Sequence, residues 1–163
     1  MADQLWFLRH GDAEPHGTRP DAQRRLTPRG ETQSVAAGAA LRMLGIEMAH
    51  VFASPKVRAI DTARIASDSG IVTEPVVHDA VLDLDRAGAL ELAALAGPDE
   101  NVLLVGHQPD LGQVVYDLTG ARARVRKGGL IGVQLGGLGP RPELIVVLRP
   151  IDLSHIGGIP LGA

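Results

Sequence analysis

Four consecutive apolar residues, Leu5-Trp6-Phe7-Leu8, run without a spacer into Arg9-His10-Gly11-Asp12. A short apolar run bounded by charge predicts a strand buried on both faces, as in parallel sheets covered by helices. Such a strand carries a permanent cation and an imidazole to its carboxyl end, on rigid support, where open α/β sheets bind their ligands. A surface strand end that happens to carry Arg and His is the simpler alternative. The rest of the chain decides between the two.

The same arrangement recurs twice. His50-Val51-Phe52-Ala53 predicts a second strand, followed by Ser54-Pro55 and Arg58. Asn101 to Val105 predicts a third, running into Gly106-His107-Gln108-Pro109. Helical signals lie between them. Thr27-Pro28 is an N-cap followed by proline at the first helical position, and it opens a helix to about Leu44 that Gly45 ends. Ser54-Pro55 repeats that signature for a helix through about Ser67, and further helices are expected over Ala87–Ala96 and Pro109–Leu118. Pro75-Val76-Val77 reads as a short strand, residues 79 to 85 as an acidic loop, and Ile131–Leu135 and Glu143–Leu148 as two late strands. The alternation predicts an α/β fold, a single three-layer αβα domain over residues 1–163 with a mostly parallel central sheet. Its core spans about residues 5–150, and the glycine-rich tail, about 154–163, is expected to be poorly ordered unless it docks.

Within Arg122–Lys127, alternate positions place Arg122, Arg124 and Arg126 on one side of an extended segment. The simplest reading is a solvated sheet edge that resists strand pairing; phosphate or acidic-partner binding is the other.

Composition narrows the function. Of 163 residues, 45% are hydrophobic and 21% charged, which suits a globular protein able to bury a real core. The net charge of −3 argues against general nucleic-acid binding. The absence of cysteine removes thiolate metal sites and fits a cytoplasmic protein. Trp6-Phe7-Leu8 is too short for a signal peptide, no run is long enough to span a membrane, and a monomer is expected.

In a parallel sheet the carboxyl ends of the three strands share one edge. Arg9, His10, Arg58 and His107 would then converge beside a helix N-terminus, two guanidinium forks and two imidazoles suited to a tetrahedral oxyanion. Gly11 would let the backbone approach the ligand closely. Two fixed cations make this a poor metal site, and the loop group His10, Asp12, Glu14 and His16 lacks recognised ligand spacing, so neither metal nor cofactor is expected.

Leu8-Arg9-His10-Gly11-Asp12-Ala13, Arg25-Leu26-Thr27-Pro28-Arg29-Gly30, Ser54-Pro55-Lys56-Val57-Arg58-Ala59-Ile60-Asp61-Thr62-Ala63 and Val105-Gly106-His107-Gln108-Pro109 together resemble the histidine phosphatase superfamily. Within it they resemble the compact SixA-type phosphohistidine phosphatases. The resemblance implies a phosphoglycerate mutase-like fold without a lid insertion. It implies that His10 is the nucleophile, that Arg9, Arg58 and His107 complete the phosphate pocket, and that Gly128-Gly129 is a small-residue turn approaching it. Gln108 and Thr18 are weaker lining candidates. Larger members place an acidic proton donor in a Leu-x-Glu setting; here Val81-Leu82-Asp83 is nearest, so Asp83 is the first choice and Asp79, Asp85 and Asp12 the alternatives.

The chemistry is consistent. A neutral imidazole can attack phosphorus in line and give a phosphohistidine that water hydrolyses. Neighbouring guanidinium groups penalise a third positive charge and so favour that neutral form, and the other ring nitrogen needs an acceptor to fix the tautomer. The expected function is hydrolysis of phosphohistidine or phosphoester substrates, on a phosphorylated protein or a small molecule. A pseudo-enzyme that only holds phosphate, and a small-molecule phosphomonoesterase or mutase, are the rivals.

Overall fold

The computed structural model describes residues 1–162. Six strands form one sheet in the order β3-β2-β4-β1-β5-β6. They are β1 (Gln4–Arg9), β2 (His50–Ala53), β3 (Pro75–Val77), β4 (Asn101–Gly106), β5 (Leu130–Gln134) and β6 (Glu143–Leu148). The first four pair in parallel, and β5 and β6 continue the sheet antiparallel. Among the described residues there are five α-helices: α1 (Pro28–Met43), α2 (Val57–Ala66), α3 (Arg86–Ala93), α4 (Asp110–Thr119) and α5 (Pro150–Gly157).

The pleat divides the core. Leu5 and Phe7 of β1, with Val102 and Leu104 of β4, pack beneath α3 and α4. Trp6 and Leu8, with Leu103 and Val105, pack beneath α1, α2 and α5. Both faces are covered, so β1 and β4 read as unbroken apolar runs, as a doubly buried parallel pair must. Among the described residues, no helix is long and apolar enough to cross a membrane.

The register matters most for the site. Arg9 is paired with Gly106, and Ala53 with Val105. The residues that follow, His10, Ser54 and His107, therefore leave the sheet at the same level.

Local signals behave as their chemistry requires, with three corrections. Thr27 caps α1 by accepting the Gly30 N–H at 3.1 Å, with Pro28 at the first turn. Ser54-Pro55, however, does not open α2, which begins at Val57 after Lys56. The Ser54 hydroxyl is taken by His107 instead. A helix not anticipated in the sequence, α5, starts at Pro150 and docks on α1, so the described part of the tail meets the condition set for its order, and Ala163 lies outside the described residues. The Arg149 guanidinium and backbone N–H both bond the Asp152 carboxylate at its start, and Gly158 ends it in the left-handed conformation. The contact is close because both helices carry small residues; a Cβ on Gly157 would lie 2.9 Å from that of Ala39. Segment 122–127 is not a sheet edge. It forms no strand, and its Val125 is buried.

Candidate active site

His10 leaves the end of β1 with its backbone N–H on the Gly106 carbonyl. Its ring centroid is 5.3 Å from that of His107. Nδ1 lies 2.7 Å from the Gly11 carbonyl oxygen, an acceptor only, so Nδ1 carries the proton and Nε2 presents a lone pair. The Gly11 peptide is itself fixed. Its N–H donates to Thr62 Oγ1 at 3.0 Å, and that hydroxyl donates to the Arg58 carbonyl one helical turn back. Arg58 Nε donates to His10 Nε2 across a long 3.4 Å. Burial pushes the His10 imidazole down to about 3, helped by His107, Arg58 and Arg9 and opposed by the Gly11 contact. It is neutral at pH 7.

Arg58 is buried in the first turn of α2 and aimed by Asp21. Its Nη1 donates to the Asp21 carbonyl at 2.8 Å, and Nη2 reaches the Asp21 carboxylate at 3.3 Å. Lys56 and Arg24 bond the same carboxylate and hold it far below its usual range. Arg9 donates through Nη1 to the Val125 carbonyl, while its Nε is buried without a partner. Nδ1 of His107 is also buried without a partner, and its Nε2 lies 2.7 Å from Ser54 Oγ. With the Ser54 hydroxyl donating, His107 Nδ1–H becomes a free donor. Burial, then Arg58, pushes His107 down to about 4. Opposite the β1 terminus, Gly128 adopts φ 74° and its N–H meets the Arg9 and His10 carbonyls at 3.1 and 3.0 Å. The left-handed turn is one that glycine supplies without strain.

Several of these side chains line a cavity of about 330 Å³, with Asp21, Ser54 and Thr62 behind them. Arg9, His10, Arg58, His107, Gln108 and Asp83 all reach it, together with Lys56, Lys127, Glu14 and Asp110. Two buried polar nitrogens without partners, in a cavity rich in guanidinium groups, suit an oxyanion that would satisfy both. Among the described residues, no three His, Cys, Asp or Glu side chains converge as a metal site requires.

Other candidates are placed elsewhere. Gly11 does not line the cavity; its missing Cβ lets it sit against Gly30, where a Cβ would come within 2.5 Å of the carbonyl oxygen. Thr18 bonds the Pro15 carbonyl. Asp12 accepts from Thr27 Oγ1 and pairs with Lys127, Asp85 caps α3 through the Gly88 N–H, and Asp79 is exposed outside the cavity. Asp83 stands exposed at the rim. Beside it is Asp110, the first residue of α4, whose carboxyl is raised by burial and then by the charge of Asp83.

Sequence reasoning missed Asp21, Ser54, Thr62 and Asp110. Thr62, four residues after Arg58, had a usable signal in helical spacing, and Asp110 lies three residues beyond His107. Asp21 had none.

The arrangement is a cation-rich cavity at the strand ends of an α/β fold, with the chemistry to hold a tetrahedral oxyanion. Residues 5–88 match the model of the histidine phosphatase superfamily (branch 1). The chain belongs to that superfamily. It is 34% identical over 142 residues to an uncharacterized protein of Picosynechococcus sp., covering 82% of this chain and 86% of the relative. Its fold is that of SixA-type proteins. The structure of the protein histidine phosphatase SixA complexed with tungstate superposes with a TM-score of 0.80 at 24% identity, covering 92% of this chain and 99% of that one. A phosphoglycerate mutase from Bacillus anthracis gives 0.71 at 14% identity, covering 94% and 96%.

Proposed function

We propose that this protein is a metal-independent phosphatase that hydrolyses phosphohistidine or exposed phosphoesters through a covalent phosphohistidine on His10. The observation that carries the reading is the buried, neutral His10 with Nδ1 tied to the Gly11 carbonyl and Nε2 turned to the cavity beside Arg58. Entry of a phosphoryl group displaces the long Arg58–His10 contact. Arg9 Nε, Arg58 and His107 Nδ1–H then meet the equatorial oxygens, where positive charge and donors stabilise the transition state. The Nε2 lone pair attacks phosphorus, the bond from phosphorus to the leaving oxygen or nitrogen breaks, and the leaving group takes a proton. Water attacks the phosphohistidine next, releasing inorganic phosphate and the free imidazole.

The proton donor is drawn from the two carboxylates at the cavity, Asp83 and Asp110, of which Asp110 is half-buried and has its carboxyl raised by burial and then by the charge of Asp83. That the SixA structure holds tungstate, a tetrahedral oxyanion, in the same fold supports the reading. The test is turnover of an aryl phosphate in excess EDTA, by wild type and His10→Ala. Wild-type activity that resists the chelator and is lost in the variant is expected. Inactive wild type, or activity restored only by a divalent ion, overturns it.

A further inference from the structure

Segment 121–126 turns Ala121, Ala123 and Val125 inward and leaves Arg122, Arg124 and Arg126 exposed. Val125 is fixed from both sides, its side chain in the core and its carbonyl on Arg9 Nη1. The arginines are thus presented by an anchored segment bonded to a residue of the candidate site. They bound two grooves. One, of about 520 Å³, includes Gln108, Tyr116, Arg122 and Arg124; the other, of about 390 Å³, includes Arg9, Arg29, Arg124, Arg126 and Lys127. Gln108 joins the first groove to the catalytic cavity, and Arg9 and Lys127 join the second.

The charge here is uncompensated. Among the described residues, none of Arg29, Arg122, Arg124 and Arg126 lies within salt-bridge distance of a carboxylate. Four unpaired guanidinium groups beside one cavity, on a chain of net charge −3, form a local field that attracts anions. We propose that Arg29, Arg122, Arg124 and Arg126 form a docking band for an acidic protein surface that carries the phosphorylated residue. The proposal rests on the phosphatase reading of the adjoining cavity and names the kind of substrate that cavity serves.

Geometry favours a protein. An extended segment rises about 3.3 Å per residue, so Arg122 and Arg126 stand roughly 13 Å apart, wider than a small bisphosphate spans. Single-stranded nucleic acid calls for aromatic stacking platforms. The one aromatic in the grooves, Tyr116, already has the Arg122 guanidinium 5.8 Å above its ring.

The test uses synthetic phosphohistidine peptides flanked by glutamates or by glutamines, with an aryl phosphate as the small substrate. Proteins are wild type and the triple variant Arg122→Gln/Arg124→Gln/Arg126→Gln. Wild type should prefer the glutamate peptide by at least about tenfold in kcat/KM at low salt, and raising the salt should erase the preference. The triple variant should lose it through KM while aryl phosphate turnover stays within about twofold. Equal use of both peptides by wild type overturns the proposal. So does an equal loss on the aryl phosphate, or stronger competition by a small bisphosphate or a 5′-phosphorylated oligonucleotide. If wild type turns over nothing, the phosphatase reading fails separately. The band is then judged by fluorescence titration of the unphosphorylated glutamate peptide, and equal binding to both proteins overturns it.

Discussion

Two histidines buried neutral should make the fold sensitive to mild acid. His10 and His107 are 6% and 8% exposed and are pushed down to about 3 and about 4, from an ordinary value of 6.5. Between pH 6.5 and 4 the unfolded chain binds protons that the folded chain refuses, so stability falls as pH falls. At pH 5 both folded values lie well below the solution pH, so the loss depends chiefly on the unfolded value. Each histidine then loses about 1.36 kcal/mol for each of roughly 1.5 pH units, or about 2 kcal/mol, and the pair about 4 kcal/mol. The carboxylate of Asp21, held far below its ordinary 3.8, contributes stability that is lost only under more acid conditions. The assay is urea unfolding at pH 7.5 and 5.0 with a common m-value, on wild type, His10→Asn and His107→Asn. Each variant should show about half the wild-type drop. A wild-type stability unchanged between the two pH values, or an undiminished drop in both variants, would refute the reasoning.

Three further outcomes follow from the geometry. Thr62→Val removes the acceptor for the buried Gly11 N–H and should destabilise the fold by about 1–3 kcal/mol in denaturant titration, with a drop in kcat larger than any change in KM. Arg58→Ala should slow turnover by at least about 10²-fold, the scale of one strong oxyanion contact, and a less than tenfold effect would remove Arg58 from the chemistry. Asp110→Asn should slow an alkyl phosphate by at least about tenfold and spare phosphohistidine, whose leaving imidazole is a weak base; Asp83→Asn should do the same more mildly. Equal slowing of both substrates would make these residues structural.

The fold was largely legible because its central strands are buried on both faces. Leu5–Leu8 and Asn101–Val105 cannot satisfy their apolar side chains at a surface, and the residues that follow them are fixed in place by the sheet. Elements held by tertiary contact were harder to see. α5 depends on Gly157 fitting against Ala36, Ala39 and Ala40, which no local pattern announces. The Ser54-Pro55 signature misled because a capping serine and a serine bonded to a distant histidine look alike in sequence. The convergence of Arg9, His10 and His107 was legible from strand ends, and that of Arg58 from its place shortly after β2. Asp21, 37 residues from Arg58 and in an irregular loop, was not, since only the folded chain brings its carboxylate to the guanidinium. Asp83, the first choice for the acid, lines the cavity; Asp110, which lines it too, lay outside the motif that pointed to Asp83.

The central claim is covalent transfer to His10 Nε2. Rapid acid-free quenching of wild type with ³²P-labelled substrate should trap label that is stable to base and lost in acid, and peptide mapping should place it on His10. His10→Ala should trap none. Label that survives acid, label on another residue, or a pre-steady-state burst of product with unlabelled protein would contradict the account.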